Sequence, residues 1–189
     1  HDYIRGLRQR MNTRAPGAVL LGEAWTNAED QSAYWGQGDE LNLTFSFDMA
    51  SSIVEVARDG VRGRLNQMLE RSATTFADRG FEAPFLTNHD MPRVAREMPK
   101  EALRVAAALM LASPGTPFLY YGEEIGMGGG AERADENKRT PMHWVPTSAD
   151  PKGGFTTGEP WWPMTDEAPG VDVATQAADP GSLLNLYRK

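Results

Sequence analysis

An α/β chain built on a parallel sheet is predicted by three features of the 189-residue sequence. Short apolar runs close near Glu23, Asp48, Asn88 and Tyr121, each about one strand-plus-helix unit from the next, as consecutive parallel strands with crossover helices require. The runs are bounded by turn residues and separated by stretches of helical spacing. Two of them are followed directly by a carboxylate, Glu23 after Ala18–Gly22 and Asp90 after the run through Phe85, Leu86, Thr87, Asn88 and His89. Acids in that position emerge at the C-terminal mouth of a sheet, where α/β enzymes carry their chemistry. Four such units make half of an eight-stranded (β/α)8 barrel, a fold of roughly 250 residues.

The elements follow in order. Ile4, Leu7 and Met11 are spaced by three and four and read as the last turns of a helix; Pro16-Gly17 turns the chain into the strand Ala18–Gly22. Leu41, Leu43, Phe45 and Phe47 alternate with Asn42, Thr44 and Ser46, the period of a strand with one apolar and one polar face. Leu65, Met68, Leu69 and Phe76 keep helical spacing, which predicts a helix from about Val61 to Ala77 before the Phe85 strand. Leu103, Ala106, Ala107, Met110 and Leu111 form one helical face, preceded by Pro99 and stopped by Ser113-Pro114-Gly115. Pro117–Gly122 reads as a fourth strand. Residues 126–179 are rich in Gly, Pro and polar side chains and read as a long loop ordered by Trp144, Phe155, Trp161 and Trp162. Asp179 is expected to cap a closing helix whose apolar face starts at Leu183, Leu184, Leu186 and Tyr187. Opening and closing within helices gives the chain the look of a fragment.

Composition narrows the function classes. With 40% hydrophobic and 24% charged residues the chain is an ordinary globular sequence. A net charge of −7 disfavours nucleic acid or an anionic membrane as partner and suits a neutral ligand such as a sugar. No apolar stretch approaches the roughly 20 residues of a membrane span, and no basic-then-apolar leader opens the sequence, a slight lean toward the cytoplasm that does not fix the compartment. The absence of cysteine removes disulfides, thiol nucleophiles and cysteine metal sites. His1 and His143 have no companions at metal-ligand spacing, so no zinc site is expected. Arg8, Arg10 and Arg14 read as a solvated helix face, and Trp161-Trp162 as packing for the long loop, with stacking on a sugar as the alternative. Two carboxylates converging on one crevice suggest glycoside chemistry.

The segments LLGEAW, FLTNHDMPR, GTPFLYYGEEIGM, KRTPMHW, GGFT and DPGSLLNLYRK occur in this order. Together they resemble the α-amylase superfamily of retaining α-glycosidases, the last three most closely its α-glucosidase and oligo-1,6-glucosidase branch. The resemblance implies that the chain is the second half of the catalytic barrel, strands 5 to 8, with residues 126–179 as the loop after strand 8 and without the family's C-terminal β-sandwich. It implies that Glu23 is the general acid/base, its pKa raised by burial beside Trp25 and by nearby negative charge. Asp90 is then the third carboxylate, which binds ring hydroxyls and stabilises the oxocarbenium-like transition state, and His89 the imidazole that hydrogen-bonds the innermost sugar. Arg93 matches a residue of the site rim. Arg139 matches an arginine that pairs with an aspartate from the first half of the barrel and closes the pocket, and Trp25 is placed to stack on a sugar. Glu123-Glu124 are expected to be structural.

The family nucleophile, an aspartate in a G-F-R-x-D-like pattern, is absent from the chain and is expected just upstream of His1. No cofactor is expected, and a family calcium would take its ligands from outside this chain. The expected partner of the whole enzyme is an α-linked glucose oligosaccharide, and the isolated chain is expected to be inactive and to self-associate through open barrel edges. The alternatives are a glucosyl transferase or isomerase of trehalose synthase type, or a non-catalytic accessory relative of membrane transporters; retention of Glu23, His89 and Asp90 favours an enzyme.

Overall fold

A computed structural model describes residues 1–75, 80–131 and 134–189. The chain divides into two compact units, one formed by residues His1–Phe85 with Leu109–Phe118, the other by Leu86–Ala108 with Leu119–Lys189.

The first unit holds the sheet. Helix α1 (Asp2–Arg14) leads to β1 (Leu21–Gly22), α2 (Ala28–Ala33), β2 (Leu43–Phe45), α3 (Phe47–Asp59), α4 (Gly63–Thr75) and β3 (Phe81–Ala83). The three strands are parallel in the order β1-β2-β3, with Leu21 opposite Leu43 and Thr44 opposite Glu82. The strand expected at Pro117–Gly122 is not a full strand. Only its beginning lies extended beside β3, where Thr116 N–H donates to the Glu82 carbonyl and Phe118 N–H to Pro84, in the rising register of a parallel pair.

The expected strand through Phe47 is shorter than its alternation suggested. β2 ends at Phe45, and Phe47 opens α3 because Phe47, Ala50 and Ile53 fall on one buried helical face, a period of three that overtakes the period of two. Gly60, at φ 74°, ends α3 in the left-handed conformation that glycine adopts without strain. The polar residues of this run are covered: Thr44 in β2 and Ser46 just after it are buried along with Leu43. Helix α4 matches the expected helix from Gly63 to Thr75, and the expected Phe76–Ala77 end lies outside the described residues.

No side chain of α1 is buried. It is tied to the unit by polar contacts instead. Arg5 meets Asp39 at 3.2 Å and Glu40 at 3.0 Å, His1 Nδ1 lies 2.8 Å from Glu40, and Arg8, expected to be only solvated, donates to the Glu40 carbonyl at 2.9 Å. The core is built on Trp35, Met49, Ile53, Ala83 and Phe85, with Phe85 edge-on to Phe45 at 5.4 Å and to Phe47 at 5.1 Å.

The second unit begins after Phe85 and includes α5 (Val94–Glu97) and the first part of α6 (Lys100–Ala112), whose stop at Ser113-Pro114-Gly115 agrees with the sequence. It continues through a 3-10 turn at Glu123–Ile125, α7 (Asp135–Lys138), α8 (Val173–Ala178) and α9 (Leu183–Tyr187). Ile125, Met127, Met142 and Leu184 form its apolar centre, with Val171 and Val173 packed against them. The cap of the last helix is Ser182, which accepts from Asn185 N–H, rather than Asp179; Asp179 closes the preceding turn by accepting from Gly181 N–H at 2.8 Å. Gln176 joins the two final helices: its amide donates to the Ile125 carbonyl at 2.7 Å and its oxygen accepts from Leu184 N–H at 3.1 Å.

Two predictions follow from the fold. At Gly115 φ is +108°, and a Cβ there would overlap the Glu82 carbonyl oxygen, so Gly115→Ala is expected to cost about 2 kcal/mol or more, read as a melting temperature lower by roughly 5 °C. In the second unit the Glu123 carboxyl is buried, accepts from Tyr187 Oη at 3.3 Å, and is pushed by burial from 4.5 up to about 8. The folded form then keeps its proton while the unfolded chain loses it, so stability falls as pH rises from about 4.5 to about 8 and levels off above. Melting curves across that range should show this slope reduced in Glu123→Gln; an unchanged slope would place the pH dependence elsewhere.

Candidate active site

In the first unit the candidate residue is Glu23. Strand β1 delivers it at its C-terminal end, and the backbone after it is pinned by Gln31, whose amide donates to the Ala24 carbonyl at 3.0 Å and to Phe45 at 2.8 Å. Gln31 is held in place by α2, which Asn27 caps by accepting from Asp30 N–H. This role was invisible in the sequence, where Gln31 is one polar residue among several in a short segment.

Burial of Glu23 beside Trp25 is not what the structure shows. Glu23 is exposed, and Trp25 reaches it by a hydrogen bond from Nε1 to Oε1 at 3.2 Å. One face of the Trp25 indole packs on Phe47, with ring centroids 4.2 Å apart, while 61% of the residue stays accessible. Glu23 and Trp25 line a cavity of about 620 Å³ together with Thr26, Asp30 and Tyr34. An open carboxylate beside a half-covered aromatic ring has the components of sugar recognition, a hydrogen-bond acceptor and a flat apolar face.

In the second unit, three of the candidate residues come together. Asn88 sets the turn by accepting from Asp90 N–H on its side-chain oxygen at 2.9 Å, and Thr87 Oγ1 donates to the Pro92 carbonyl at 2.8 Å. Asp90 Oδ1 accepts from Arg139 Nη2 at 2.7 Å, and Asp90 Oδ2 lies 3.4 Å from His89 Nε2. Arg139 Nε donates to the His89 carbonyl at 3.0 Å. His89 and Asp90 remain exposed. Arg139, expected to pair with an aspartate from the first half of the barrel, here pairs with Asp90 itself and lies 3.6 Å from Asp135.

Arg93, expected on the rim, is buried, with 2% of its surface accessible. Its guanidinium lies over two rings, 4.9 Å from the centroid of Tyr120 and 4.6 Å from that of Tyr121, and donates to the Tyr121 carbonyl at 2.6 Å. The tyrosine hydroxyls donate onward, Tyr120 to the Lys138 carbonyl at 3.0 Å and Tyr121 to the Thr140 carbonyl at 2.8 Å, so the residues on either side of Arg139 are fixed. Burial raises the Tyr120 pKa, which keeps its hydroxyl a donor. Arg93 is thus an interior support for the segment that carries Arg139.

Sequence reasoning also missed Asp135 and Lys138. Their separation by three residues is the signal of a one-turn ion pair, and the structure shows it at 2.8 Å. Glu123, expected to be structural, is buried against Tyr187, away from solvent. The buried His143 contacts Thr165 at 3.3 Å, and burial lowers its pKa. Among the described residues no group of three or more His, Asp or Glu side chains is arranged to hold a metal ion.

Comparison with known proteins agrees with this arrangement of motifs. The family model described as "Alpha amylase, catalytic domain" matches residues 1–189. The chain is 33% identical over its whole length to "Alpha-amylase 3" of Dictyoglomus thermophilum, of which it spans 36%. It is 29% identical over its whole length to "Trehalose synthase/amylase TreS" of Mycolicibacterium smegmatis, of which it spans 39%. Among solved structures it is similar to an α-amylase from H. orenii, with a TM-score of 0.80 and 30% identity over 99% of this chain and 38% of that one. The chain therefore spans well under half the length of these relatives. Its parallel strands and intervening helices are those of half a (β/α)8 barrel, and the chain belongs to the α-amylase catalytic-domain family.

Proposed function

We propose that the full-length protein carrying this chain is a retaining glycosidase acting on α-glucosidic bonds of starch-derived oligosaccharides. The observation that carries the reading is the exposed Asp90 carboxylate, one oxygen bound by Arg139 at 2.7 Å and the other beside the His89 imidazole. A carboxylate fixed in this way but open to solvent is oriented before substrate arrives, so its attraction for a developing positive charge on the sugar requires little rearrangement in the transition state.

In this reading Glu23 protonates the departing glycosidic oxygen while an aspartate upstream of His1 attacks the anomeric carbon. Glu23 then takes the proton from the water that releases the sugar. Asp90 accepts hydrogen bonds from ring hydroxyls and opposes the oxocarbenium charge, His89 donates to the same sugar, and Trp25 offers its free face to a sugar ring. Residues 1–189 are assigned as the second half of the barrel, with 126–179 as the loop after its last strand. Relatives named amylase and maltase support hydrolysis.

A second reading, transfer or isomerisation of the glucosyl unit, is favoured by the relatives named trehalose synthase. It uses the same residues and differs in what attacks the intermediate. Retention of Glu23, His89 and Asp90 speaks against a non-catalytic transporter relative.

Hydrolysis of a 4-nitrophenyl α-glucoside and of maltotriose by the full-length protein tests the assignment. Glu23→Gln is expected to lower kcat by about 10³-fold, the range of a lost general acid. Trehalose formed from maltose would select the second reading, and silence of a folded parent on all three substrates would overturn both. The present chain alone is expected to be inactive and, in sedimentation, to run as a dimer or larger; a compact monomer would contradict the open edges.

A further inference from the structure

We infer that Lys138, oriented by Asp135, is a positioning residue that fixes the backbone beneath the Asp90 carboxylate; this rests on the role proposed above for Asp90. Lys138 Nζ donates to the Asp90 carbonyl at 3.0 Å and to Asp135 Oδ1 at 2.8 Å. Its side chain is mostly covered, with 18% accessible, and its own carbonyl accepts from Tyr120 Oη at 3.0 Å. The residue is therefore held at both ends. The Lys138 ammonium keeps the Asp135 carboxyl below its usual range, consistent with a formed pair.

The tether supplies something that Arg139 does not. Arg139 binds the Asp90 carboxylate and the His89 carbonyl, and the peptide that follows Asp90 is held on its N–H side alone, where Met91 donates to the Asn88 carbonyl at 3.3 Å, which leaves its carbonyl to Lys138. With Lys138 in place, Asp90 is fixed at three points: its N–H on Asn88 Oδ1, its carbonyl on Lys138 Nζ and its carboxylate on Arg139 Nη2. Two of the three come from adjacent residues, Lys138 at the end of α7 and Arg139 as its C-cap. A carboxylate that must meet ring hydroxyls as the sugar flattens tolerates little displacement, and a misplacement of about 1 Å costs up to about 10²-fold in rate. Lys138 touches no reacting atom in this arrangement and acts through Asp90.

The test uses the full-length protein with Lys138→Met, which keeps the length of the side chain and removes its donors, and with Lys138→Arg and Asp135→Asn. The expected result is a kcat about tenfold lower in Lys138→Met with KM within about twofold, an intermediate loss in Asp135→Asn, and recovery of most of the rate in Lys138→Arg. Amide hydrogen exchange in residues 86–93 should accelerate in Lys138→Met. A lowered melting temperature with unchanged kcat and unchanged exchange would overturn the inference and leave Lys138 a structural residue of α7. If the unsubstituted protein proves inactive, the glycosidase reading fails, and with it the catalytic consequence of Lys138. The exchange experiment still decides the tether, since an unchanged rate in residues 86–93 removes it. Should Lys138→Met fail to fold, Asp135→Asn and Lys138→Arg carry the same comparison.

Discussion

The guanidinium of Arg93 is almost completely removed from water, and a cation in that position must be stabilised by what surrounds it. Two tyrosine rings and one carbonyl do so. Each ring contributes on the order of 1–2 kcal/mol when the cation is desolvated, and the carbonyl adds a charge-assisted hydrogen bond. The geometry has a consequence beyond the cation itself. Because Tyr120 and Tyr121 must present their faces to Arg93, their hydroxyls are aimed outward, and both end on carbonyls of the Lys138–Thr140 segment. The position of Arg139, and through it of Asp90, is set from below by this arrangement. Close packing makes it intolerant of change: a Cβ at Gly122 or Gly129 would crowd the Arg93 side chain.

Acidic groups close to this cation show how burial and charge compete. The positive charge of Arg93 pulls the carboxyls of Glu123 and Glu124 down, yet both are raised, because loss of hydration is the larger effect. A protonated Glu123 beside the Tyr187 hydroxyl avoids a buried negative charge where the 3-10 turn meets the last helix. The same balance appears in the first unit at Glu82. Its carboxyl is raised by burial, and its two oxygens accept from Ser46 Oγ at 2.7 Å and Ser72 Oγ at 2.5 Å. These contacts join β3 to Ser46, at the start of α3, and to α4, so a residue that looks misplaced in a strand has both carboxyl oxygens satisfied.

Glu23 and Asp90 reach solvent by different local devices. Glu23 follows a two-residue strand, and its loop is kept open by a glutamine that binds two main-chain carbonyls. Asp90 sits in a turn set by an asparagine side chain, and its carboxylate is steered by an arginine 49 residues later. In both cases the candidate acid is left exposed while the side chains that hold its turn, Gln31 in one and Asn88 and Arg139 in the other, are more covered.

Much of this was legible in the sequence. Strand runs ending in carboxylates, helical spacing from Leu103 to Leu111 and the ordered set of short motifs were enough to indicate a parallel α/β chain, the family, and Glu23, His89 and Asp90 as the residues of interest. These are local signals, read from side-chain type and period within a few residues. The extent of β2 was misjudged because Phe47 satisfies both periods, and packing of Phe47, Ala50 and Ile53 on one helical face decided between them. The burial of Arg93, the exposure of Glu23 and the pairing of Arg139 with Asp90 depend on contacts across 28 to 49 residues or on which surfaces are covered. Sequence by itself determined the family and singled out the candidate residues Glu23, His89 and Asp90, because those follow from residue type and motif. Only the tertiary structure decided their partners and hydration, because those depend on distant segments arriving at one place.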